Sequence, residues 1–547
     1  MNEKICIYCM GTHGIRLYLY LKKNGIKISF FGDSSPDKCG NIVDGVVCKQ
    51  YEDILRGEKD IIIIVANAKP DLIIASFKKN GFKKVYTERQ AMHLLIKKNI
   101  TSKSIVDIND VEIVRNELYR PFYIEKSKSS FKNNGNKIIE VNYTDLPGHA
   151  FNGFDLMNTL NQMTDFTVKQ IVGEKKSKSP NVIPVMDSYI IREYVSFFES
   201  EYAISNLLSL AGKMIYDMSV YKQADIVHFQ IIHNRFVSLL EYPLLMNNKL
   251  CVWTIHDPWI LTGDCIHPLE CNDWLTGCKK CNDMKIGGNL LCHNESFMWK
   301  VKQKILRNIN PVIVVSCSFM RNYLNKSPLT KHFNDIYEIP FGVDVNRFKF
   351  KNKANSKLKL GIKSNAVTIG FRASNNPIKG CKYIYDALRK LSKLDNVILL
   401  AVGEDEIPVY IKKRYRYIEF GWIDNEEYNT FIEACDIFIM PSLAESFGVM
   451  AIEAMAAECA VICFENTILK EIVASPECGM AVPYKSSEGI AKIITEWTLK
   501  IDEVRRRGIL GRERVKKFYT YESYVNKHKI LYENILANNL ANYRKNR

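Results

Sequence analysis

No uncharged apolar run in this chain of 547 residues approaches the roughly 18 needed to cross a bilayer as a helix, so no membrane span is expected. The opening string, MNEKICIYCMGTHG, has no basic stretch followed by an apolar one, the pattern of a secretory leader. We therefore expect a cytoplasmic protein. The common nucleic-acid-binding signatures are absent, so no nucleic acid is expected as a partner. Lys and Arg form only short runs, such as VRRRG and IKKRYRY. No short tandem repeat is seen along the chain.

What is present is ordinary for a globular protein: 47% hydrophobic and 25% charged residues. The length points to three or four domains. Lys and Arg exceed Asp and Glu by 76 − 60, a net charge of +16. That balance favours anionic partners, among them phosphorylated small molecules and the anionic inner face of a cell membrane. In a reducing compartment the 16 cysteines are thiols or metal ligands rather than disulfides.

Short apolar runs alternate with amphipathic stretches, the pattern of βα units and parallel sheets. The divisions read from the sequence are an N-terminal Rossmann-like α/β domain over 1–123, a polar linker over 124–137, doubly wound α/β domains over 138–345 and 346–520, and a C-terminal helix over 521–547. In that helix Tyr524, Ile530, Leu531 and Ile535 are spaced like one face. Two doubly wound domains in tandem make a cleft, and their ligands bind at the carboxyl ends of the strands.

The densest chemistry lies in CDIFIMPSLAESFGVMAIEAMAA. It predicts a strand over 437–440, a loop, and a helix starting near Gly448. A helix start offers free N–H groups and partial positive charge, which suit a diphosphate. Glu445 precedes the helix and Glu453 lies within it. An ionised carboxylate accepts two hydroxyl donors at once, so Glu453 suits a vicinal diol such as ribose, and Glu445 would face the transferred group. Taken singly, either acid could be a solvent-facing carboxylate. Upstream, Arg372 and Lys379-Gly380 stand in a loop between a strand and a helix. A forked guanidinium and a point charge together suit a pyrophosphate.

These strings resemble glycosyltransferase family 4. The resemblance rests on Glu445 and Glu453 with seven residues between them, on PSLAESFG, on Arg372 with Lys379, on IPFGVDVNRF, and on GWIDNEEYNTFIEACDIFIMPS. It implies the GT-B fold, retaining transfer without a metal ion or other catalytic cofactor, and a UDP- or GDP-sugar donor. Glu453 would hold the ribose hydroxyls and Glu445 the donor sugar. Arg372 and Lys379 would hold the diphosphate beside the Ser446-Phe447-Gly448 loop. Gly148, in TDLPGHAFNG, matches the family's glycine-rich donor loop, with His149 at its second glycine. His256, in TIHD, matches a cleft histidine that contacts the transferred sugar. Alone, His256 reads more readily as a core histidine than as a functional one. His228 and His233 stay unassigned. The chain departs from the family at Glu458 and Ala460, where Gly and Pro are usual, and at Thr467 and Ile468. A glycine at 458 would take a left-handed helix cap at little cost.

Cys265, Cys271, Cys278 and Cys281, with Trp274 and Gly277, resemble a bacterial exopolysaccharide subgroup of that family. Four thiolates suit a closed, structural zinc site; four ordinary free thiols are the alternative. Near the start, Gly11 and Gly14 form only G-x-x-G, with Asp33 at the end of the second strand. That segment resembles the nucleotide-sugar-binding domain of bacterial sugar acetyltransferases, and binding and scaffolding both remain open. The implied function is transfer of a sugar to a glycan or lipid-linked acceptor in capsule, exopolysaccharide or lipopolysaccharide assembly, with peripheral membrane contact. The rival readings are a sugar-nucleotide epimerase of the same fold and a non-enzymatic scaffold with a decayed site.

Overall fold

The computed structural model describes residues 3–67, 70–95, 107–119, 130–131, 135–148, 150–185, 195–196, 198–200, 202–279, 281, 293–348, 353–392, 396–421 and 423–545. Most of the expected linker, and His149, fall outside them.

Three largely parallel sheets follow one another along the chain. The first has six strands, with Ile5–Tyr8 near its centre between Phe30–Asp33 and Ile62–Val65. The second has seven strands in the spatial order Ile336–Glu338, Val312–Val315, Leu250–Thr254, Ile226–Phe229, Lys137–Thr144, Thr167–Glu174, Val182–Pro184. The third has six, in the order Arg416–Glu419, Val397–Gly403, Val367–Ala373, Ile437–Met440, Ala460–Phe464, Gly479–Val482. Their central strands are Val- and Ile-rich and buried on both faces, as parallel strands between helices must be. The expected strand over Ile437–Met440 forms with those bounds.

Four helices set the frame for the cleft: α1 (Ile108–Tyr119), α2 (Ser318–Lys326), α3 (Val449–Ala456) and α4 (Tyr521–Lys545). α1 docks on the second lobe through Arg115. Its buried guanidinium donates to the Ser209 carbonyl and to Glu241 Oε1 at 2.5 Å, and Glu241 in turn accepts the Gly212 N–H.

The chain crosses between the second and third lobes twice. The outgoing segment around Gly342 and the returning one around Thr520 lie side by side. The Val343 N–H donates to the Tyr519 carbonyl at 2.9 Å, and the Tyr521 N–H to the Val343 carbonyl at 3.1 Å. A Cβ on Gly342 would fall 2.2 Å from the Thr520 carbonyl oxygen, so only glycine permits this approach. α4 then packs on the second lobe. Its buried face is Tyr524, Val525, His528, Leu531 and Tyr532, whereas Ile530, expected inside, is 47% exposed. The apolar count placed Ile530 inside because it passed over His528, which is buried. His528 stacks on His228, and Tyr532 Oη donates to Glu140 Oε1 at 3.0 Å. His228 closes this buried network, with Nδ1 2.6 Å from Tyr532 Oη and Nε2 2.7 Å from Thr254 Oγ1.

Candidate functional site

The loops at the carboxyl ends of the third sheet are zipped to each other before any ligand enters. Gly380 sits at φ +70°, and a Cβ there would lie 1.9 Å from the Pro441 carbonyl oxygen. The Leu443 N–H donates to the Ile378 carbonyl at 2.7 Å. This contact carries Lys379 across to the acidic loop, where its Nζ pairs with Glu445 Oε1 at 2.7 Å. Ser442 Oγ donates to the same oxygen at 2.9 Å. Two of the four expected donor-site groups therefore meet directly.

Arg372, at the end of its strand, pairs with Glu404 at 3.0 Å, and Glu404 also accepts from Ser374 Oγ. Burial pulls the Glu404 carboxyl up, but Ser374 and Arg372 outweigh it and hold it below the usual range. Glu404 was not singled out in the sequence. Its only local signal is the GEDE string after an apolar strand.

α3 begins just after Gly448, as expected. Gly448 takes φ +107°, and a Cβ there would lie 2.4 Å from Leu469 Cδ2. One turn in, Glu453 is enclosed. Burial raises its pKa, opposed by a 2.7 Å hydrogen bond from Tyr428 Oη and by Arg347, whose Nη1 is 3.8 Å from Oε1. Tyr428 and Arg347 are thus further members of the site. Both lie in strings that carried the resemblance, but only the fold shows that they share one carboxylate.

Glu445 and Glu453 open onto different cavities between the lobes. The larger, about 410 Å³, is lined by Gly148, Asp155, Phe341, Arg347, Val449, Glu453 and Tyr524, among others. The smaller, about 130 Å³, is lined by His267, Tyr323, Glu445, Thr467 and Tyr484, among others. The cleft is pinched between the two acids. Ser446 offers its carbonyl to Ser316 Oγ at 3.1 Å and Cys317 Sγ at 3.3 Å from the second lobe. Phe447 is buried against Phe341 and Tyr519.

Gly148 adopts φ +77° with open space where a Cβ would stand, and its N–H donates to Asp155 Oδ2 at 3.2 Å. His256 lies behind the pinch, stacked on Phe341 and edge-on to Phe151. Its Nε2 is 2.9 Å from Gln230 Oε1, and its buried Nδ1 has no partner among the described residues. Burial lowers its pKa to about 3, so the ring is neutral at pH 7. His233 stacks on Trp259 and pairs with Asp257 at 3.1 Å. Burial pulls the Asp257 carboxyl up, but His233 outweighs it and holds it down to about 2.

The expected zinc set does not assemble. Among the described residues, no three His, Cys, Asp or Glu side chains are placed to hold a metal ion. Cys271 is exposed, and Cys278 Sγ is taken up by the Gly263 N–H at 3.1 Å. The loop is anchored instead by Trp274, which is buried against Tyr323 and whose carbonyl accepts from Trp299 Nε1 at 2.8 Å.

Doubly wound lobes facing across a cleft, with the acidic helix start on one side, define the GT-B fold. Residues 352–512 match the family model of glycosyl transferases group 1. The phosphatidyl-myo-inositol mannosyltransferase of Mycolicibacterium smegmatis is 30% identical over 194 residues, 34% of this chain and 48% of that protein. An uncharacterized glycosyltransferase of Methanocaldococcus jannaschii is 24% identical over 29% of this chain and 43% of that one. The chain thus spans about half the length of the curated relatives it matches. Among solved structures, sucrose-phosphate synthase of Thermosynechococcus elongatus shares the fold. Its TM-score is 0.53 at 17% identity, over 74% of this chain and 99% of that one. Anabaena HepE in complex with UDP gives 0.51 at 13% identity, over 73% and 100%.

Proposed function

We propose that this protein is a retaining glycosyltransferase that moves a sugar from a nucleoside diphosphate to a hydroxyl of a glycan or lipid-linked acceptor. The observation that carries the reading is the shared lining of the larger cavity: Gly148 from one lobe and Glu453 from the other face the same space. In this reading Glu453 takes the ribose diol, displacing or sharing the Tyr428 hydroxyl. The diphosphate lies along the Ser446-Phe447-Gly448 loop, and the sugar reaches Glu445. Arg372 and Lys379 exchange Glu404 and Glu445 for the diphosphate oxygens and stabilise the charge that develops as the glycosidic bond breaks. A donor spanning both acids must part the lobes at the Phe341–Phe447 pinch. Front-face attack, with the departing phosphate taking the acceptor proton, is what the family resemblance implies.

The Anabaena neighbour is complexed with UDP, and the mycobacterial relative is a mannosyltransferase. UDP- and GDP-sugars are therefore the donors to test first. The basic surface and the resemblance favour polysaccharide or lipopolysaccharide assembly in the cytoplasm, at an anionic membrane face. The test is nucleotide release from a donor panel by the full chain and by Glu453→Ala and Arg372→Ala. A loss of about 10²–10³ in rate is expected for Arg372→Ala. Unchanged release in both variants would overturn the assignment.

A further inference from the structure

The smaller cavity is built from both lobes and has the make-up of a saccharide site. His267 and Glu270 come from the cysteine-rich loop, Tyr323 from α2, and Glu445, Thr467 and Tyr484 from the third lobe. At about 130 Å³ it is well under the roughly 300 Å³ at which drug-sized sites begin. That is room for one ring. Aromatic faces suit the C–H side of a pyranose, and the carboxylate, imidazole and hydroxyl suit its O–H groups. Lys485 pairs with Glu270 across the opening, so the loop is tied to the opposite lobe beside the cavity.

The other cleft histidines are committed: His228 to Thr254, His233 to Asp257, and His256 to Gln230. His267 forms no hydrogen bond within the described residues. It lines the same cavity as Glu445; burial lowers its pKa, and the charges of Asp257, Glu445 and Lys379 act on it more weakly.

We propose that this cavity is a subsite for a single pyranose ring and that His267 is its specificity-determining contact. The proposal rests on the transferase reading for the source of the ring, which is either the acceptor's terminal sugar or the sugar of the donor. The chemistry is the same for both: an imidazole that can donate or accept against a ring hydroxyl.

The experiment measures ligand binding to the full chain and to His267→Ala and His267→Gln. The first arm titrates UDP and GDP alone. The second titrates methyl glucosides, galactosides and mannosides, followed by saturation-transfer NMR with the bound nucleotide present. The third titrates UDP-glucose and GDP-mannose. A single hydrogen bond corresponds to about tenfold in affinity. The expected result is that nucleoside diphosphate binding stays within twofold in both variants, which also shows that they are folded. His267→Ala then weakens either a methyl glycoside or a nucleotide sugar by about tenfold, and Gln restores part of it. The weakened arm identifies the source of the ring. Unchanged affinities in both sugar arms, or no sugar binding by wild type that does bind nucleotide, would overturn the subsite. Absence of nucleotide binding with a His267-dependent glycoside affinity would instead sink the transferase reading and leave the subsite standing.

Discussion

The first and third sheets share a plan: six strands, a central first strand, and chain excursions to either side of it. Their carboxyl ends differ. In the first sheet the carboxylate at the end of the second strand is consumed by its own loops. Asp33 Oδ2 accepts the Met10 N–H at 2.8 Å and Oδ1 the Ser35 N–H at 2.9 Å, and Lys38 pairs with it at 3.2 Å. Gly14 is needed there because a Cβ would fall 2.2 Å from the Cys9 carbonyl oxygen. In the third sheet the corresponding loops hold the ion pairs Arg372–Glu404 and Lys379–Glu445, and Glu445 lines the smaller interlobe cavity. One topology thus carries a self-satisfied turn in one place and a candidate donor site in another, and the difference lies in the loops.

The sharpest way to break this comparison is to remove one charge from each sheet. Arg372→Ala is expected to slow nucleotide release by about 10²–10³, whereas Asp33→Ala should leave release within about twofold and cost about 1–3 kcal/mol of stability for the orphaned N–H groups. Turnover lost in Asp33→Ala would mean that the first sheet shares the site. Next in size, Gly380→Ala should destabilise the third lobe by about 2–3 kcal/mol, because the Cβ meets the Pro441 carbonyl and the backbone is left-handed. Its denaturation midpoint and its nucleotide release should fall together.

A pH titration sharpens the contrast with the second lobe. Burial lowers His256 to about 3 and His528 to about 4, from 6.5. Below 6.5 the unfolded chain binds protons that the folded chain does not, so stability falls as pH drops toward those values. Each imidazole contributes about 1.4 kcal/mol per pH unit in that window. Denaturant titrations at pH 7, 6 and 5 should show the slope, and His256→Gln should remove one proton from it. The smallest effect is Glu458→Gly. Glu458 caps α3 at φ +59°, where a non-glycine residue costs about 1–2 kcal/mol. After the entropy cost of glycine, a gain of about 0.5–1 kcal/mol is expected from thermal or chemical unfolding.

The third lobe was the most legible part of the sequence, because its chemistry sits in contiguous strand–loop–helix strings. Ile437–Met440 and the helix after Gly448 follow from local pattern, and the left-handed position at 458 was flagged by the family resemblance. Long-range pairing did not. Arg372 with Glu404, Tyr428 with Glu453 and the pinch at Phe447 join residues far apart in the chain, and no spacing rule connects them. The cysteine spacing fits metal ligands, but it gives no sign that Trp274 supplies the packing that anchors the loop. In α4 the expected face holds at Tyr524, Leu531 and Ile535, and only Ile530 was misplaced, because a polar residue, His528, occupies the core position beside it.

The paired crossings at Gly342 and Thr520 have a mechanical consequence. Two strands of chain joined by hydrogen bonds at a single spot act like the pin of a door. Once the contacts at Ser446, Phe447 and Lys485 part, rotation of the lobes would run about that one line. Admission of a donor and departure of a product would then follow the same arc, and a bulky substitution at Gly342 would jam both.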